Sequence, residues 1–140
     1  MPVLMRASVG GFPRRRLRRT VEEAMRRLGL ARAELSLTVV GDADMIAANR
    51  RFFGKAGPTD VIAVSQMEGD EMPGGEWLLG DVIVSWDAAR RQAARYRHSA
   101  ADELGLLAVH GLLHTLGMED RTAKGRRAMS RQARRLIRKK

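Results

Sequence analysis

Three side chains near residue 115 have the types and spacing of a metal site. His110 and His114 stand four residues apart in the segment His110-Gly-Leu-Leu-His114. On a helix that spacing puts both imidazoles on one face, one turn apart, which makes the pair a clamp for a zinc ion. Gly117 permits a sharp exit from the helix. Asp120 follows three residues later, near enough to swing back as a third donor. Two imidazoles and one carboxylate with a fourth position open describe a catalytic zinc ion rather than a structural one. The same donors also suit a two-histidine, one-carboxylate iron centre of the oxygenase type. Zinc peptidases of the H-E-x-x-H pattern carry their glutamate base where this chain has Gly111, so the segment argues against peptidase chemistry. The chain holds only three histidines, and setting two of them among Leu and Val is costly unless a partner meets them.

These residues need a helix to hold them and neighbours to wall them in. Ser99 followed by Asp102 resembles a capping box ahead of an apolar helix over 100–116, which Gly117 ends. Upstream, residues 3–7 suit a short strand. Leu17, Val21, Met25 and Leu28 recur at helical spacing after Arg14, and Gly29 stops the run. Residues 35–40 alternate as a second strand, and Asp42 is the expected N-cap of a helix through Phe53. Residues 59–65 and 78–85 read as strands on either side of a Gly- and acid-containing excursion over 66–76, and 87–96 as a helix. Thr122 is placed to cap a last helix that runs into the basic C-terminus. The expected fold is α+β, a single domain over 1–140 with a small four-stranded mixed sheet packed by about five helices.

Composition narrows the function classes. The chain has no cysteine, which excludes disulfides, thiolate ligands and a cysteine nucleophile. No apolar run approaches the ~18 residues of a membrane span, and the first eleven residues lack a secretory apolar core, so a cytoplasmic location without membrane partners is expected. Lys and Arg number 26 against 16 acids, a net charge of +10. The excess lies at the ends: residues 1–40 carry +6, 41–120 carry −6 and 121–140 carry +10. Such a pattern suits a polyanion held at the flanks of a site with its own carboxylates. Arg15, Arg18 and Arg19 in the first helix, and Arg126, Arg127, Arg131 and Arg134 in the last, are the expected phosphate contacts, provided folding brings the two ends to the histidine cleft.

The motifs also resemble those of a known family, the YbeY-type endoribonucleases of bacterial rRNA maturation. Their H-G-x-L-H-x-x-G-Y-D-H signature is matched at His110, Gly111, Leu113, His114 and Gly117. Gly80-Asp81-Val82-Ile83-Val84-Ser85 is similar to the family's G-D-I-x-I-S strand, and Gln92 and His98-Ser99 fall in register. Asn49, Gly54-Lys55 and Pro58-Thr59-Asp60-Val61-Ile62 resemble a further family segment, so the likeness spans about residues 42–135. Several positions depart from it, among them Glu119, where the family has an aspartate, and Ala63-Val64-Ser65, which replace its S-F-P. Asp120 stands where the family has its third histidine, Phe53 replaces an arginine thought to serve the RNA, and Ala56 replaces an aspartate. A carboxylate at position 120 would leave the metal a weaker Lewis acid.

The resemblance implies a zincin-like fold and a metal-dependent endoribonuclease specific for single-stranded RNA. It would act on the small-subunit rRNA 3′ end and in ribosome quality control, with RNA and the ribosome as partners. One zinc ion held by His110, His114 and Asp120 would activate water for attack on a phosphodiester. Arg50, Arg51 or Lys55 would stand in for the missing arginine, with His98 as a further substrate contact or, more plainly, the shaper of the helix entry. The alternative is a catalytically weakened, ribosome-associated RNA-binding factor of the same fold. Trp77, Trp86 and Tyr96 can stack on bases but are expected in the core, and Thr59, Asp60 and Asp81 are expected to hold structure near the cleft.

Overall fold

Residues 2–57, 59–66, 77–118 and 122–137 are described by a computed structural model. Nine elements follow one another: β1 (Val3–Ala7), α1 (Arg14–Arg27), β2 (Ala33–Val40), α2 (Asp42–Phe53), β3 (Val61–Ser65), β4 (Trp77–Ser85), α3 (Trp86–Tyr96), α4 (Ala100–Thr115) and α5 (Ala123–Ile137). The strands make one mixed sheet in the order β1-β2-β4-β3. β1, β2 and β4 are parallel, with Val3 beside Leu35 and Leu37 beside Val82. β3 closes one edge antiparallel to β4, with Val61 beside Val84. Parallel neighbours need a crossover, and α1 supplies it between β1 and β2.

Period-two alternation decides what each face of the sheet buries. Leu35, Leu37, Val39, Val82 and Val84 join Leu17, Val21 and Met25 of α1, Leu104, Ala108 and Leu112 of α4, and Met129, Ala133 and Leu136 of α5 in the main core. The opposite face, with Val40, Ile62, Val64 and Ile83, packs on Met45 and Ala48 of α2. α4 is buried along most of its surface, which makes it the central helix of the molecule.

The expected α+β fold is the one observed, and its differences in detail have physical causes. Asp42 is not the N-cap of α2 but its first residue, after an extended Gly41. Its amide N–H donates to Asp87 Oδ2 at 2.9 Å, so the first turn of α2 is satisfied by a carboxylate from α3. That hydrogen bond, and then Arg90, hold the Asp87 carboxyl below the ordinary carboxylate range. Asp42 itself pairs with Arg91 at 2.7 Å. Ser99 accepts from the Asp102 N–H at 3.0 Å, yet Asp102 turns its carboxylate to Arg16, so only half of the expected box forms. Ser85 caps α3 through the Ala88 N–H at 3.0 Å, and Thr122 accepts from the Gly125 N–H at 2.9 Å. Strand β3 begins at Val61 rather than residue 59.

Two glycines set how closely these elements approach. Gly80 follows a bulge in β4 and adopts a φ of +152°; a Cβ there would lie 2.2 Å from the Val64 carbonyl oxygen. Gly111 faces the sheet from α4, where a Cβ would lie 2.5 Å from Val82 Cγ1 and 3.1 Å from Val61 Cγ2. The glycine inside the histidine pair thus lets the helix press onto β3 and β4.

Candidate metal centre and its cleft

His110 and His114 project together from α4, their ring centroids 5.0 Å apart and their planes at 64°. The helix closes one turn later in a Schellman motif. The Gly117 N–H donates to the His114 carbonyl at 3.0 Å and the Met118 N–H to that of Leu113 at 3.2 Å, with Gly117 at φ +95°. This turn redirects the chain directly after the second imidazole, as the glycine predicts. Asp120, the expected third donor, lies outside the described residues. Among those residues, no group of three His, Cys, Asp or Glu side chains gathers as a metal site.

Both imidazoles line a cleft of about 360 Å³. One wall is the lead into β3, Thr59 to Val61, and the other is Ser130, Ala133 and Arg134 of α5. The β3 wall is held from behind. Asp60 accepts from Gln92 Nε2 at 3.1 Å, and its carbonyl takes the Ser85 N–H at 3.0 Å. The buried Asn49 donates to the Gly57 carbonyl at 3.0 Å, tying the preceding loop to α2. Asp60, expected to hold structure near the cleft, does so with its side chain through α3. Asp81, also expected to hold structure, accepts from Gln66 Nε2 at 2.8 Å.

Glu103 also lines the cleft and was not singled out in the sequence. It is 3% exposed and takes a hydrogen bond between its Oε1 and His98 Nε2 at 2.6 Å. Its position was legible: 103, 110 and 114 share one helical stripe, so an acid within that apolar run falls on the histidine face. His98 therefore shapes the entry of α4 by engaging this carboxylate.

The basic residues divide by location. Arg134 lines the histidine cleft, and Arg16 lines its neighbour. Arg126, Arg127 and Arg131 border a shallow depression that also includes Ser130 and Arg134. Arg19 lies in a groove between α1 and α5. Arg18 is occupied internally, donating to the Val3 carbonyl at 2.5 Å and lying 3.8 Å from Glu22. Arg15 is exposed on α1 and is not among the residues lining either cleft. Arg50, Arg51 and Lys55 are exposed at the end of α2 and likewise do not line the histidine cleft; Arg51 lies over the Phe52 ring, 5.7 Å from its centroid. The two basic ends of the chain do meet, since Arg27 of α1 donates to the Leu136 carbonyl of α5 at 3.1 Å. Among the aromatics, Trp86 packs against the core with Arg90 over its ring, whereas Tyr96, expected in the core, is 61% exposed. The Trp77 side chain lies outside the described residues.

Comparison with known proteins bears on this arrangement. Residues 10–140 match the family model for endoribonuclease YbeY. Proteins named endoribonuclease YbeY share 41% identity over 119 residues in Pelotomaculum thermopropionicum, covering 83% of this chain and 78% of that protein. The Moorella thermoacetica protein of that name shares 47% over 116 residues, 78% and 74% of the two chains, and the Bacillus subtilis one 41% over 111 residues, 75% and 71%. A Thermotoga maritima protein solved in solution superposes with a TM-score of 0.61 over 95% of this chain and 89% of its own, at 18% identity. That likeness supports the fold.

Proposed function

The chain belongs to the YbeY family of endoribonucleases, and from that premise we propose that it cleaves single-stranded RNA in the cytoplasm with the help of one zinc ion. Its place is the maturation of the small-subunit rRNA 3′ end and ribosome quality control, with the ribosome as partner. The observation that carries this reading is the His110–His114 pair facing a cleft with a cationic wall at Arg134.

The donor chemistry fits zinc: two imidazoles, one helical turn apart, open onto a shared space. Asp120 is the third donor by its place in the sequence. When bound, zinc supplies Lewis-acid charge at the scissile phosphate and lowers the pKa of water. The remaining work falls to the chain. Arg134 offers a phosphate-binding cation at the α5 wall, and the Ser130 hydroxyl a donor beside it. Gln92 keeps Asp60, and with it the β3 wall, in place. Gly111 fixes the depth of the floor by letting α4 lie on Val61 and Val82.

The test is zinc content and cleavage of a labelled RNA with single-stranded and duplex parts. The protein is expected to hold one zinc per chain and to cut the single-stranded part. His110→Ala or His114→Ala should lose the zinc and at least ~100-fold in cleavage, since even outer partners of metal ligands cost 10–100-fold. RNA binding without zinc, and without any cleavage that chelation abolishes, would identify a binding factor instead, as Asp120, Phe53 and Ala56 would allow.

A further inference from the structure

The histidine cleft does not end at Glu103. Glu103, Leu106, Ser130 and Arg134 also line a second, larger cleft of about 900 Å³, whose far end is formed by Arg16, Tyr96 and His98. The shared residues make the two clefts one trough along α4, running from His114 to Tyr96.

The groups along this trough are unusual in combination. Tyr96, the single tyrosine of the chain, ends α3 as a residue 61% exposed, its ring edge-on to His98 at 6.4 Å and 70°. It contributes little to the core, which leaves much of its surface open to a ligand. Glu103 presents the opposite case. It is a carboxylate buried to 3% exposure, with Oε1 engaged by His98 and no hydrogen bond to Oε2 among the described residues. Burying a carboxylate is costly unless donors meet it, and the trough gives a ligand access to the oxygen that His98 leaves open. Arg134 and the Arg16–Asp102 pair stand along the walls. An aromatic face, a buried acceptor and nearby cations are what an unpaired nucleotide requires: a surface to stack on, a partner for its N–H edge and charge for its phosphate.

Resting on the RNA-cleaving reading above, we infer that this trough is a nucleotide subsite of the single-stranded substrate. One unpaired base stacks on Tyr96 and donates from its edge to Glu103, while a phosphate further along the strand lies at the histidine pair. His98 is a positioning residue that holds the Glu103 carboxylate toward the base. Arg134 lines both parts of the trough, so a strand crossing it passes one cation common to the two.

The experiment measures binding of end-labelled five-nucleotide RNAs to the full chain in EDTA, which suppresses metal-dependent cutting, and separately the cleavage of the same RNAs with zinc present. An abasic residue is placed at each position in turn. For the wild type, removing the base at one position should weaken binding by about tenfold, the usual scale of a base stacked on an aromatic ring. Tyr96→Ala should lose a similar factor on intact RNA and become indifferent to the base at that position, while Tyr96→Phe binds as the wild type does. Glu103→Gln, which keeps shape and volume, should reorder the preference among the four bases there rather than weaken all alike. Thermal melts establish that each variant is folded. If the wild type binds and cuts RNA while Tyr96→Ala keeps full affinity and the full abasic penalty, the subsite is wrong and the endonuclease reading stands. If the wild type neither binds nor cuts single-stranded RNA, the RNA reading fails and takes the subsite with it.

Discussion

Gly111 shows how one residue can carry two messages, of which the sequence displays one. Read by motif, it marks the absence of a peptidase glutamate; in the fold, it is where the metal-bearing helix meets the sheet. Gly111→Ala would drive a Cβ to 2.5 Å from Val82 Cγ1, so α4 must lift or Val82 must move. The expected cost is about 1–3 kcal/mol, as for other overpacked cores, read as a lower urea midpoint at unchanged slope. Val82→Ala should restore part of that loss in the double variant, because it removes the atom in the way; additive losses would show that the contact is not the cause. The histidine pair was legible because i, i+4 spacing is local. The depth at which it sits was not, since that depends on Val61 and Val82, which reach the helix only through the tertiary fold. Glu103 was within reach of the same periodicity argument but stood unremarked in an apolar run.

At the scale of elements, helices and strands announced themselves through periodicity, and the caps at Ser99 and Thr122 lay next to the helices they serve. Asp42 misled because its helix takes its partner from α3, 45 residues away, a long-range substitution for a local cap. The lead into β3 is likewise held by a distant partner, since the Asp60 side chain accepts from Gln92 of α3. The α2–α3 junction should consequently be pH-sensitive. Asp87→Ala removes the acceptor of the Asp42 N–H and is expected to cost about 1 kcal/mol near neutral pH, the typical worth of a hydrogen bond. The Asp87 carboxyl is held below its ordinary pKa in the fold, so its contribution is complete above the ordinary carboxylate range. It fades as pH falls through the lowered value and the group protonates. Urea titrations of both proteins from neutral to acid pH should therefore converge at the acid end. A gap that persists or widens there would mean that ionised Asp87 is not the stabilising species.

Across the whole molecule, charge arithmetic located basic ends and an acidic middle but not which arginines share a surface. Folding sets α1 beside α5 and lines one trough with Arg16 and Arg134, while Arg18 turns inward to the Val3 carbonyl. RNA affinity should fall with salt at a log–log slope of roughly −0.7 for each phosphate contacted on a single strand. Arg134→Glu should make that slope shallower and weaken binding to all sequences alike, because phosphate contacts carry no base information. An unchanged slope would remove Arg134 from the RNA path. The position of α5 has a further consequence, one of timing. Chains are made from the N-terminus onward, so His110 and His114 are added before Ser130, Ala133 and Arg134. A nascent chain carries the clamp without its second wall, and the cleft closes only when the last helix docks against α1 and α4. The order of synthesis thus leaves the cleft open on one side until α5 has been made and has docked.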